Sequence, residues 1–178
     1  MNKRLGKRSI RVLAVDPGTR GFGYAIFEGP VRLVDWGTKD IRKNKEHVAL
    51  VRIEELLRRF EPDVLVVEDC AHVSSRRNRK FTLLIGRMLA MARALGVEGR
   101  ALPLALVYRH FAKNGARNKQ EIASTLAQRF AALALRLPPK RKPWQSEDSR
   151  MSIFDAAALA ITYLRRRDGR AGRSSIPR

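Results

Sequence analysis

The chain has 178 residues, 44% of them apolar, which suits one domain with a sizeable core and excludes a wholly disordered protein. A formal charge of +20 and an isoelectric point near 11.4 point to a polyanionic partner. Nucleic acid ranks ahead of an anionic membrane surface, because no apolar run reaches the length of a membrane span.

Ile10 to Asp16, Phe22 to Phe27 and Val31 to Gly37 read as three strands, close enough together to form an antiparallel meander. Lys45 to Phe60 has helical spacing and is stopped by Pro62. Val64 to Val67, leading into Glu68 and Asp69, reads as a central strand buried on both faces. Ala71 to Lys80 is a basic loop, and Phe81 to Leu95 a helix with small residues at Gly86, Ala90 and Ala94. Ala101 to Val107 is a fifth strand, Asn118 to Leu135 a helix, Leu137 to Trp144 a proline-rich basic loop, and Ser149 to Arg166 the last helix. The order β-β-β-α-β-α-β-α-α predicts an α/β fold with a five-stranded mixed sheet and helices on both faces. Residues 1–9 form a basic arm, 10–167 one folded domain, and 168–178 a basic tail too poor in apolar residues to fold. The single cysteine, Cys70, rules out an internal disulfide framework and a cysteine-based zinc site. The basic N-terminus lacks the apolar stretch of a secretory signal, so a cytoplasmic, nucleoid-associated setting is expected.

Three acids sit where apolar elements should not carry them. Asp16 ends the first strand, Glu68 ends the fourth, and Asp155 interrupts the apolar last helix in MSIFDAAALAITYL. If the first and fourth strands are neighbours, Asp16 and Glu68 share one end of the sheet, and a helix crossing the sheet delivers Asp155 there. Three such carboxylates repel one another, and hard divalent cations relieve that repulsion. Two Mg²⁺ or Mn²⁺ ions about 4 Å apart activate water and stabilise a leaving oxygen in phosphodiester hydrolysis. Each acid also has a plainer reading: Asp16 as a turn cap before Pro-Gly, Glu68 as a strand-end acid, Asp155 as a first-turn helix acid.

VLAVDPGTRGFGYAIFE, DVLVVEDC and IFDAAALAIT resemble the three acidic motifs of RuvC-type Holliday junction resolvases, within the RNase H-like superfamily. AKNGARNKQEIASTL is similar to that family's Asn-Gly segment, whose lysine opens a helix, and FTLLIGRMLAMARALG resembles its dimer-interface helix. The resemblance runs from about Ile10 to Leu164. It implies an RNase H-like fold, a homodimer, and Mg²⁺- or Mn²⁺-dependent nicking of branched DNA, with a four-way junction as the expected substrate. No organic cofactor is implied. By the resemblance, Asp16, Glu68 and Asp155 are catalytic metal ligands, and Lys119 steadies the scissile phosphate.

Two positions depart from the family pattern. Ser152 stands three residues before Asp155, where the family carries an acid or histidine, which makes Asp148 the candidate fourth carboxylate, with Glu147 behind it. The plainer reading places both acids just ahead of a helix cap at Ser149. Ala71, followed by His72, stands where the family carries a junction-wedging aromatic residue. The expected DNA contacts are cationic: Arg76, Arg77, Arg79 and Lys80 after the fourth strand, Lys113 and Arg117 in the Asn-Gly segment, and Lys140, Arg141 and Lys142 in the proline-rich loop. Trp144 beside that loop suits either nucleic-acid stacking or core packing. A nuclease of other specificity, for RNA, flaps or simple branched DNA, and a non-catalytic nucleic-acid-binding protein are the alternative readings.

Overall fold

The computed structural model describes residues 9–70 and 76–173. β1 (Arg11–Gly18), β2 (Gly21–Glu28) and β3 (Arg32–Asp40) form the antiparallel meander, and β4 (Val64–Glu68) and β5 (Glu98–Leu102) extend it as parallel strands. The order across the sheet is β3-β2-β1-β4-β5, so β1 sits at its centre. The parallel pairings need crossovers, which α1 (Lys45–Phe60) and α2 (Arg76–Ala94) supply.

Strand alternation divides the core in two. Leu13 and Val15 of β1, with Leu65 and Val67 of β4, pack on the face covered by α1 and α2. Val12, Ala14, Val64 and Val66 point the other way. That second face is covered by α3 (Leu104–Ala112), α4 (Lys119–Arg129), the short α5 (Ala131–Ala134) and α6 (Met151–Arg173). From Ile153 to Leu164, α6 is buried almost all round, and it lies across β2, β1 and β4.

Several elements differ from the sequence reading. The expected strand over Ala101 to Val107 is instead the end of β5 followed by α3. Pro103 cannot extend the ladder and stands at the N-terminal boundary of the helix, and Leu104, Val107 and Phe111 carry helical spacing. α2 begins at Arg76, so the basic loop expected to reach Lys80 is already helical. The helix expected over Asn118 to Leu135 breaks at Phe130, whose extended backbone turns its ring onto Phe27, 5.2 Å between centroids. α6 starts at Met151 and continues to Arg173, beyond the domain end expected at 167, because arginine propagates a helix without needing a core.

Candidate active site

Asp16 and Glu68 each follow the in-register pair Val15–Val67 at the carboxyl ends of parallel neighbours. Alternation gives both acids the face of Val12, Ala14, Val64 and Val66, which is the face that α6 covers. Gly23 is Asp16's partner on β2 and shares this face. A methyl group at 23 would overlap the backbone carbonyl and the hydroxyl of Ser152, so the absent side chain lets the first turn of α6 lie directly on β2. Asp155 follows one turn later, near enough for its charge to act on both strand acids. Gly21 does other work: at φ 142° it lies against the Lys39 carbonyl of β3.

The charges respond to this convergence. Burial pushes the Asp16 carboxyl well above its ordinary range, and repulsion from Asp155, Glu68 and Glu147 adds to it while Lys119 opposes it. Glu68 is raised by burial, and by Asp155 and Asp69 against the pull of Lys119. Asp155 is raised by burial although Lys119 works against it. Lys119 opens α4 just after its cap, where the Asn118 side chain accepts from the Glu121 N–H at 3.0 Å. Its Nζ donates to Asp155 Oδ2 at 2.8 Å and to Glu147 Oε1 at 3.0 Å. Burial alone would lower its pKa, but these carboxylates win and raise it, so Lys119 is a fixed ammonium.

Asp148 does not join the cluster. Both its oxygens are held by Arg150, at 3.0 Å to Nε and 2.6 Å to Nη2, and Oδ1 also accepts the Arg150 N–H at 2.9 Å. This local pairing lowers its pKa and ties it to the turn before α6. Glu147, ranked behind it in the sequence, is the acid that reaches Lys119. Ser152 faces Gly23, and its hydroxyl donates to the Ser149 carbonyl at 2.7 Å.

Tyr108 escaped the sequence reading. Its pKa is raised by burial, lowered by Lys119 and raised by Asp155, Glu68 and Glu147, which places the phenol in the same field. Pro103 followed by apolar residues at helical spacing was the signal for α3, and hence for this tyrosine. Cys70, next to the strand-end acids, is pushed up to about 11 by burial and by Glu68, Asp16 and Asp69.

Among the described cations, Arg79 and Lys80 on α2, Lys113 and Arg117 beside α4, and Lys140, Arg141 and Lys142 on the proline-rich loop are all exposed. The backbones of Arg76 and Arg77 begin α2, but their side chains, like Ala71 and His72, lie outside the described residues. Trp144 is 79% exposed, so it is not a core residue.

The donor set is oxygen only: three desolvated, mutually repelling carboxylates, a chemistry suited to Mg²⁺ or Mn²⁺. Among the described residues no three Asp, Glu, His or Cys side chains are drawn together tightly enough to hold an ion, and the cation between Asp155 and Glu147 is Lys119. No helix among them is long and apolar enough to cross a membrane.

No family model matches the chain. A RuvC crossover junction endodeoxyribonuclease of Sorangium cellulosum is 30% identical over 164 residues, covering 87% of this chain and 84% of that protein. The chain belongs to the RuvC family. The RuvC of Akkermansia muciniphila is 28% identical over 169 residues, covering 87% of this chain and 90% of the relative. Among solved structures, Thermus thermophilus RuvC superposes with a TM-score of 0.63 at 22% identity, covering 90% of this chain and 97% of that one. The fowlpox virus Holliday junction resolvase gives 0.57 at 19% identity, over 88% and 99%. At these identities the structures show the shared RNase H-like fold. The RuvC relatives therefore agree with the mixed sheet read from the sequence.

Proposed function

We propose that this RuvC-family chain is a divalent-metal-dependent endonuclease that resolves four-way DNA junctions. The observation that carries this is the mutual electrostatic coupling of Asp16, Glu68 and Asp155, with Lys119 bonded to Asp155, at the carboxyl ends of β1 and β4. The curated relatives are named crossover junction endodeoxyribonucleases, and T. thermophilus RuvC has been solved with a Holliday junction substrate.

Asp16, Glu68 and Asp155 would hold Mg²⁺ or Mn²⁺, two ions in the fullest form. The bound metal supplies charge neutralisation and an acidified water. The remaining work belongs to the chain. Lys119 keeps its proton, because its pKa is raised, so it serves neither as a base nor as an acid. It donates to a non-bridging phosphate oxygen and holds the phosphate against the carboxylates. Raised carboxyl pKa values make the three acids weak at holding protons off by themselves and favour a cation over bulk water as their partner. The exposed cations on α2, beside α4 and before α6 grip neighbouring phosphates without regard to sequence.

Symmetric cleavage calls for two sites, and we place the homodimer contact on α2. Its outer face carries Leu83, 60% exposed, in line with Gly86, Ala90 and Ala94, a stripe small enough for close helix approach. We assign the protein to the cytoplasm, with its DNA.

The test compares a four-way junction, a flap, plain duplex and an RNA–DNA hybrid, each with Mg²⁺ or Mn²⁺. Paired nicks near the crossover of the junction, lost in Asp16→Asn, are expected. Equal cleavage of all four substrates, or full activity of Asp16→Asn, overturns the reading.

A further inference from the structure

The proline-rich loop holds an exposed tryptophan, Trp144, three residues before the Glu147 that bonds Lys119. Its turn closes on itself: the Gln145 N–H donates to the Lys142 carbonyl at 3.0 Å, and the Gln145 side-chain oxygen accepts the Lys142 N–H at 3.1 Å. Pro143 occupies the second position of this four-residue turn and Trp144 the third, so proline sets the backbone that presents the indole. Both ends of the loop are tied to the first turn of α4. Gln120 Nε2 donates to the Pro138 carbonyl at 3.1 Å, and Lys119 Nζ to Glu147 at 3.0 Å. The buried Pro138 and the bound Glu147 thus anchor an otherwise solvated loop to the residue that opens α4.

An indole 79% exposed costs free energy unless something covers it. The surroundings say what covers it. Lys142 Nζ stands 5.7 Å from the centroid of the ring, and Lys140 and Arg141 are exposed in the same loop. Three successive cations repel a basic partner and do not suit an apolar one. They suit a planar, apolar group carried on a polyanion, which is a nucleobase. The position narrows the choice further. Trp144 is three residues from Glu147, so their Cα atoms lie within about 11 Å of each other, and the Glu147 carboxylate in turn holds Lys119. A base in a paired duplex shows the protein only its edge, whereas an unpaired base offers a face.

We infer that Trp144 stacks on an unpaired base close to the phosphate held at Lys119, making the loop a reader of open, unpaired DNA at the crossover. The inference rests on the junction-resolving reading of the site. Lys140, Arg141 and Lys142 take the flanking phosphates, and the tethers through Gln120 and Lys119 hold the indole in place before DNA arrives, which limits the ordering cost of binding.

The experiment uses the full chain in a Ca²⁺ buffer, with an open-centred four-way junction carrying unpaired thymines and, as control, a fully paired duplex of equal length. The other tryptophan, Trp36, is partly buried on β3 against the core, so the exposed-indole emission belongs to Trp144. Saturating open junction is expected to quench that emission, and duplex to leave it nearly unchanged. Trp144→Ala is expected to bind the open junction about tenfold more weakly, the scale of one lost base–aromatic stack, with duplex affinity kept. Trp144→Phe keeps most of the affinity. Neutralising Lys140, Arg141 and Lys142 together weakens both DNAs alike and flattens the salt dependence. Unquenched emission at saturation, or a Trp144→Ala loss equal on junction and duplex, overturns the inference. Cleavage by the parent protein in Mg²⁺ is followed in parallel: cleavage without quenching sinks the stacking role alone, and no junction cleavage by the parent sinks the reading of the site.

Discussion

Gly23 of β2 and Ser152 of α6 meet backbone to backbone, with no room for a side chain between them. Because Gly23 is paired with Asp16, this contact sets how near the first turn of α6, and with it Asp155, comes to the strand acids. Gly23→Ala therefore forces the helix off the sheet rather than pushing aside a flexible side chain. The expected cost is about 2–4 kcal/mol. Thermal unfolding should show a melting point lowered by roughly 5–15 °C. Junction cleavage should fall at least about 100-fold even below the new melting point, since displaced catalytic groups lose that much. Cleavage at the parent rate would show that the contact does not position Asp155.

Asp16→Asn separates stability from activity through pH. The Asp16 carboxyl is raised by burial and by neighbouring acids, so the folded protein holds its proton more tightly than the unfolded chain does. The stability tied to that proton is fully present below the unfolded value of about 3.9 and is lost as pH rises through the folded value. At pH 7 without divalent metal, the amide variant should melt higher than the parent by about 3 °C or more, equivalent to roughly 1 kcal/mol in a chain of this size. The gap should close as pH falls toward about 4. A variant no more stable than the parent at pH 7 would contradict the strain read in this carboxylate cluster.

Glu147 and Asp148 are neighbours with different expected effects. Glu147 occupies the ammonium of Lys119 and adds to the repulsion on Asp16 and Asp155, whereas Asp148 is held by Arg150. Glu147→Gln should remove the competing charge on Lys119 while its amide oxygen still accepts from the ammonium and keeps the loop tethered, so junction binding in Ca²⁺ should tighten by up to about fivefold, the scale of one exposed ion pair. Asp148→Asn should change binding and cleavage by less than about twofold, since the amide oxygen still accepts from the Arg150 N–H. Lys119→Met should keep the fold and lose roughly 100- to 1,000-fold in cleavage rate. A large cleavage defect in Asp148→Asn would return that residue to the metal site.

How much of this was legible beforehand follows from the kind of signal each feature leaves. Alternation and apolar runs mark β1, β2 and β4, and the acids at Asp16 and Glu68 stand out because they end such runs. Asp155 stands out for the same reason inside α6. The boundary at Pro103 was harder, since a short apolar run with branched residues fits a strand or a helix, and only the register of β5 with β4 limits the strand to Leu102. The choice between Glu147 and Asp148 turned on a tertiary contact with Lys119, 28 residues away, which local sequence does not encode. The role of Gly23 was likewise hidden, because the residue it faces, Ser152, lies on an element remote in the chain.

Cys70 offers a chemical reporter of the acids that does not depend on DNA. Its pKa is pushed up to about 11, by burial first and then by Glu68, Asp16 and Asp69. At pH 8 about one molecule in a thousand carries the thiolate, so a disulfide reagent should modify Cys70 on the order of 100-fold more slowly than an ordinary exposed thiol. Glu68→Gln removes one neighbouring charge and leaves burial in place. The rate should then rise by about three- to tenfold, a shift of half a unit to one unit. Mg²⁺ bound by Asp16 and Glu68 would neutralise the same charges, so adding it should speed modification in the parent protein and leave Asp16→Asn unaffected. A parent rate indifferent to Mg²⁺ at millimolar concentration would argue that the metal does not bind between these two strands.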